Sequence, residues 1–205
     1  MEINNFKVIK PLIQFDPNND AFYLIQIMQR SKDAGNEGKP GTRVIRSYYV
    51  NTEEYYDSHE DEIKKLCRVF NARAYIRLNP SSWKKCCLKS LGEIANLIEN
   101  EHYPSIKSVI DGLAGQYSAG KEFRKTWIVD IDTKDDNLIG EIADDVNACE
   151  PEGNKIVSVI PTKNGVHLIT TPFNIAAFRK KYTEEELQVH KNNPTLLYYS
   201  DETIE

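Results

Sequence analysis

The order of strand and helix patterns after residue 125 limits this chain's fold more than any other feature. Trp127, Ile128, Val129 and Ile131 make residues 126–132 an apolar run of strand length. Residues 137–149 then place Leu138, Ile139, Ile142 and Val146 at helical spacing. Residues 155–160 and 166–170 are two more apolar strands, joined by a tight turn through Pro161, Asn164 and Gly165. The spacing predicts helix over 174–182 and 183–190, and a last strand over 195–199.

That order, β-α-β-β-α-β, is the order of the ferredoxin-like or RRM-like fold, whose first and third strands are central neighbours. A site is therefore expected where the strands at 126–132 and 166–170 end. Upstream, strands over 22–30 and 43–50 flank a Gly- and charge-rich stretch at 31–41, which reads as a hairpin loop. A helix follows at 58–70, with Ile63, Leu66, Cys67 and Phe70 on one face. A strand at 73–79 is stopped by Pro80. Ser81 or Ser82 caps a helix over 83–99 whose apolar positions include Cys87, Leu88, Leu91, Ile94, Ala95 and Ile98. A further helix is expected over 105–117. The fold class is α+β: an N-terminal α/β module in residues 1–125, and an RRM-like palm in 126–205, joined in one compact unit.

At 205 residues the chain suffices for one sizeable domain with a full core. No apolar run approaches the roughly 18 residues of a membrane span, and the first residues hold no signal-peptide core, so an intracellular protein with no membrane partner is expected. Cys67, Cys86, Cys87 and Cys149 contain no Cys-x-x-Cys spacing, which points to reduced thiols rather than a zinc site. A net charge of −5 argues against a protein that coats nucleic acid non-specifically. The charge is uneven: Lys84, Lys85, Lys121, Arg124 and Lys125 precede the acidic segment 130–152. An acidic centre beside a basic surface suits chemistry on phosphates through metal ions.

The apolar strand at 126–132 ends in Asp130 and Asp132. Side chains alternate along a strand, so both carboxylates leave the same face, roughly 6–7 Å apart. Carboxylates that close repel unless a cation sits between them, and hard divalent ions take oxygen ligands. Alone, the pair would read as a strand running into an acidic loop. His167 shares a strand face with Gly165 and Ile169, and by itself would read as a hydrogen-bonded structural residue. Gly165 removes bulk beside the imidazole, so a phosphate or a backbone can approach. Lys163 adds a positive charge in the preceding turn. Asp201 follows the last strand. Arg73, Tyr75 and Arg77 share one strand face with Asn79, a stripe suited to stacking a base and meeting phosphates, or to a plain exposed sheet face.

The ordered set Val129-Asp130-Ile131-Asp132, Gly165-Val166-His167 and Tyr199-Ser200-Asp201 resembles the archaeo-eukaryotic primase, or primase-polymerase, superfamily over residues 126–202. The resemblance implies template-directed nucleotidyl transfer in DNA replication. Asp130, Asp132 and Asp201 would hold two Mg2+ or Mn2+ ions, and His167, with Lys163 and Gly165, would meet the phosphates of an NTP or dNTP. It further implies a single-stranded DNA template, a helicase or other replication partner, and an origin in a phage or plasmid. Two other classes stand beside it: a non-catalytic nucleic-acid-binding replication module, and a metal-dependent nuclease or phosphoesterase using the same carboxylates to activate water.

Overall fold

A computed structural model of the chain describes residues 1–15, 20–31, 33 and 41–202. The first half contains β1 (Glu2–Asn4), α1 (Phe6–Ile9), β2 (Ala21–Arg30), β3 (Thr42–Val50), α2 (Glu53–Ser58), α3 (Glu60–Val69), β4 (Arg73–Ile76), β5 (Ser81–Ser82), α4 (Trp83–Glu99) and α5 (Val109–Leu113). The second half contains β6 (Trp127–Ile131), α6 (Asp136–Ala148), β7 (Ile156–Pro161), β8 (Val166–Thr170), α7 (Ile175–Phe178), β9 (Gln188–His190) and β10 (Thr195–Ser200). Most of the expected loop at 31–41 lies outside the described residues.

Two antiparallel sheets result, so the α+β class holds. One runs β1-β10-β4-β2-β3, with β5 added to β2, and the other runs β7-β8-β6-β9. In the second sheet β6 and β8 are central, and Asp130 pairs with His167 in direct register. Alternation gives each of these strands two different faces. Ile128 and Ile169, with Ile160 of β7, join the core containing Ile25, Ile27, Ala74 and Ile76 of the first sheet. Val129, Ile131 and Leu168 pack instead on Ile142 and Val146 of α6. A one-residue slip would turn the polar Asp130 and His167 onto the apolar α6 core, at the cost of burying polar and charged groups among apolar side chains. The carboxylate-bearing register is thereby fixed.

Local chemistry places the helices. The Ser82 hydroxyl accepts from the Lys85 N–H at the start of α4, Thr52 caps α2 by accepting from Tyr55, and Asp135 accepts from Asn137 ahead of α6.

Several expectations are corrected. The segment 183–190 is not helical. One turn forms, closed by the Leu187 N–H donating to the Thr183 carbonyl, and the chain then extends as β9. The open side of β6 offers Gln188–His190 a ladder, and Val189 packs toward the α6 side of the sheet. The helix expected over 174–182 is only α7. Residues 105–117 divide into a 3-10 helix at Tyr103–Ser108, with a proline in its first turn, and the short α5, followed by Gly115 at a φ of +88°. The last strand, β10, does not close the second sheet. All six of its residues are buried, which an edge strand could not achieve, and it lies between β1 and β4 in the first sheet. Along α4, Cys86 and Ser90 face inward, whereas the expected core positions Leu88, Leu91 and Ile98 are 61%, 67% and 50% exposed. No helix among the described residues is long and apolar enough to cross a membrane.

Candidate active site

Where the two sheets meet, a cleft of about 220 Å3 is lined by Asp130, Asp132 and His167 of the second sheet. The β7–β8 turn adds Thr162, Lys163 and Asn164, and the first sheet adds Arg30, Arg73, Tyr75 and Leu196. Sequence-predicted residues from both halves of the chain thus converge on one place.

The β7–β8 turn is built to approach β6. Thr162 and Gly165 bond each other through the Thr162 N–H to the Gly165 carbonyl, 2.9 Å, and the Gly165 N–H to the Thr162 hydroxyl, 3.1 Å. A Cβ at Gly165 would collide with the Ile131 carbonyl and lie 2.6 and 2.8 Å from the Thr133 nitrogen and oxygen. Of the two partners expected for Gly165, it is backbone that takes the space: the strand end carrying Asp132. On the other side, the buried Asn5 amide donates to the carbonyls of Pro161 and Leu196, each at 2.9 Å, tying the turn to β10.

His167 stands between two partners. Its Nδ1 lies 2.8 Å from the Thr195 hydroxyl and its Nε2 lies 3.4 Å from Asp130 Oδ1. A Thr195 hydroxyl donating to Nδ1 leaves the ring proton on Nε2, facing the carboxylate. Asp130 is held below the usual carboxylate range, first by the hydrogen bond from His167 and then by the charges of His167, His190 and Arg30. His190, diagonally placed on β9, is pushed down by burial, with Asp130 opposing the shift. Asp132, just past the strand, is exposed at the mouth.

Cations ring the carboxylates. Arg73, 11% exposed, forms an ion pair with Asp33, 7% exposed, through Nη2, and its Nε donates to Asp33 at 2.9 Å. Arg30 donates to the Tyr75 hydroxyl at 3.2 Å. The Tyr199 ring has the Arg73 guanidinium 4.9 Å and the Lys163 ammonium 5.0 Å from its centre. The expected stripe of Arg73, Tyr75 and Arg77 is therefore not one open surface. The first two enter the cleft, while Arg77 donates to the Asn192 carbonyl elsewhere.

The structure does not bring Asp201 to the pair. It is exposed, forms an ion pair with the Met1 amine, and has its pKa lowered chiefly by that contact, with Lys163 a minor influence. Among the described residues, no three acidic, histidine or cysteine side chains form a metal-holding group. Sequence reasoning missed Arg30, Asn5, Thr195 and His190. For His190 the signal was present: Leu187, Val189 and the polar Gln188 and His190 alternate with a period of two. Comparisons with protein-family models, with curated proteins and with solved structures return no match to this chain.

Proposed function

We propose that this chain is a metal-dependent, template-directed nucleotidyltransferase of the primase-polymerase kind, with the second sheet as its RRM-like palm. The strand order β9-β6-β8-β7, all antiparallel, is compatible with that palm. The observation that carries the reading is the shared cleft. Two carboxylates on a central strand, one held ionised, face a histidine, a lysine and two arginines supplied by other strands and a turn.

The donor set suits magnesium or manganese. Such ions need only one or two protein carboxylates when waters and substrate phosphates complete the shell. Asp130 and Asp132 would supply that share, and Asp201 is not required for it. Held by Asp130 and Asp132, a divalent ion would supply a lowered pKa for an attacking 3′-hydroxyl and an offset to the triphosphate charge. Lys163, in the β7–β8 turn at the cleft, would meet phosphate oxygens of an NTP or dNTP. His167, oriented by Thr195, keeps Asp130 ionised, and on substrate binding can turn its Nε2 proton to a phosphate. Arg73 serves chiefly to neutralise Asp33. A replication partner and a single-stranded template belong to the same proposal.

The test is incorporation of labelled nucleotides on single-stranded DNA with Mg2+ or Mn2+. Activity that disappears in Asp130→Asn and Asp132→Asn supports the reading, and no incorporation with either metal sinks it. The Asp130–His167 contact favours one second reading, a metal-dependent phosphoesterase in which this unit positions a water. Cleavage of a labelled strand with metal and no nucleotide would select it.

A further inference from the structure

A second cavity lies elsewhere among the described residues. It has a volume of about 490 Å3 at the opposite end of β6 from the carboxylates, and its wall includes Lys121, Phe123, Arg124, Lys125, Lys191 and Asn192. A strand of this length separates its two ends by roughly 15–20 Å, so the cavity is distinct from the cleft.

The loops that line the cavity are tied to one another by hydrogen bonds. Asn79 ties three segments together at its wall: its amide nitrogen donates to the Thr126 carbonyl at 2.8 Å and to the Lys191 carbonyl at 3.2 Å, and its amide oxygen accepts from the Thr126 N–H at 2.8 Å. Ser81 accepts from the Gly115 N–H, and the Asn192 amide donates to the Gly115 carbonyl.

Its charge is one-sided. Among the described residues four lining side chains are cationic and none is acidic. Lys85 adds a fifth cation at the rim, donating to the Ser118 carbonyl at 2.9 Å. Behind the wall stands Arg77, whose guanidinium packs against Gly115, bonds the Asn192 carbonyl, and forms no ion pair among the described residues. Among the described residues its buried Nε has no hydrogen-bond partner, and neither has the indole nitrogen of Trp127. One acid, Glu122, stands at the edge of this wall with its carboxylate against Gly120, so cations outnumber it there. In a chain of net charge −5 this concentration of cations, which form no ion pair among the described residues, is a local departure. Such a wall lowers the free energy of a bound polyanion. Phe123 in the wall adds a flat apolar face beside the charge, and behind the wall the Lys191 ammonium lies 5.5 Å from the ring centre of Trp127, which packs on Phe173. Cations that follow a backbone, with aromatic faces between them, are what a single strand of nucleic acid requires.

We propose that this cavity is a binding site for single-stranded nucleic acid, separate from the carboxylate cleft, gripping the strand about one strand-length of β6 from Asp130 and Asp132. The choice of nucleic acid over another polyanion rests on the nucleotidyl-transfer reading. The grip itself needs no metal.

The test is anisotropy of a labelled oligothymidylate with the full chain in EDTA across a salt series. The parent protein is expected to bind, with affinity falling as salt rises. Lys121→Glu/Arg124→Glu/Lys125→Glu is expected to lose at least tenfold in affinity, and its log–log salt slope to flatten by about 0.7 for each phosphate contact removed. All three side chains are exposed, so an unchanged thermal melt is expected; Lys121→Gln and Arg124→Gln, singly, supply milder steps in the same direction. Parent-like binding by the charge-reversed protein overturns the proposal. So does a parent that ignores the oligonucleotide in EDTA, or one that uses these lysines for anionic phospholipid vesicles instead. Strand binding through the cavity, with no nucleotide incorporated under either metal, would keep this site and discard nucleotidyl transfer. Incorporation that is indifferent to the charge reversal would do the opposite.

Discussion

Replacing Gly165 with alanine tests whether the close approach of the β7–β8 turn to β6 sets the carboxylate geometry. The added methyl would sit 2.6 Å from the Thr133 nitrogen and 2.8 Å from its oxygen, below the 3.0 Å that real Cβ atoms respect, and closer still to the Ile131 carbonyl. All three obstacles are backbone atoms, so no side chain can swing away. Relief must come from parting β8 and β6 at the Ile131–Val166 pair, the end that carries Asp132, while the Ile128–Ile169 pair stays closed. Overpacking of this kind costs about 1–3 kcal/mol, and a strained or lost ladder hydrogen bond adds about 0.5–1.5 kcal/mol. A destabilisation of about 2–4 kcal/mol lowers the melting temperature of a chain this size by roughly 5–15 °C. Denaturant titration and thermal melting read the stability, and Mn2+ titration reads the pair. Weaker metal binding by the folded variant is the expected second effect. A variant that melts with the parent and binds metal equally would refute the reasoning, because the turn would then not be wedged against β6.

Other perturbations separate the groups of the cleft. Arg73→Ala strands the buried Asp33 carboxylate and should cost about 3–5 kcal/mol in denaturant titrations; Asp33→Ala/Arg73→Ala should recover part of that, and full tolerance of the single change would refute a structural role for Arg73. Asp201→Asn should leave Mn2+ binding and nucleotide incorporation near the parent values, whereas Asp130→Asn removes both, so a loss of metal binding in Asp201→Asn would place Asp201 at the ion after all. Because the folded-state pKa of Asp130 is depressed, its contribution to stability is present above the unfolded value of about 3.9 and fades as pH falls below it. Asp130→Asn should therefore flatten the acid limb of the stability–pH curve. His190 is depressed by burial, so the unfolded chain takes up its proton first: stability should fall as pH drops below about 6.5, and His190→Gln should remove part of that fall.

How much of this was legible beforehand differs element by element. β2, β3, β6, β7 and β8 stood out because each carries an apolar, largely β-branched or aromatic run long enough to bury a face. The helix at α4 was bounded well because Ser82 caps it, yet its buried face was misjudged: apolar spacing shows which side chains group together, not whether anything covers them. β9 was read as helix because eight residues with a Glu-rich start satisfy helix propensity, and only the unpaired side of β6 tips the segment to a strand. α7 stopped short for a similar reason, its continuation being spent on reaching β9.

The functional residues divide along the same line. From the sequence alone, Asp130, Asp132, Lys163, Gly165 and His167 could be chosen, because strand alternation and the turn between neighbouring strands are local rules. Those rules also assign Asp130 and His167 to the face opposite the α6 core. Arg30, which lines the cleft, and Asn5 and Thr195, which hold the turn and His167, could not be chosen, since pairing between segments distant in sequence brings each there and no local pattern encodes it. Tertiary packing also moved two expectations. It drew β10 into the first sheet, because six buried residues need neighbours on both sides, and so carried Asp201 to the Met1 edge rather than to the carboxylate pair. It placed Arg77 behind the basic cavity and Arg73 against Asp33, dividing one apparent stripe between two sites. The sequence determined which strand would carry the acids and in what register. Only the meeting of the two sheets decided which cations, and which third partner, those acids would face.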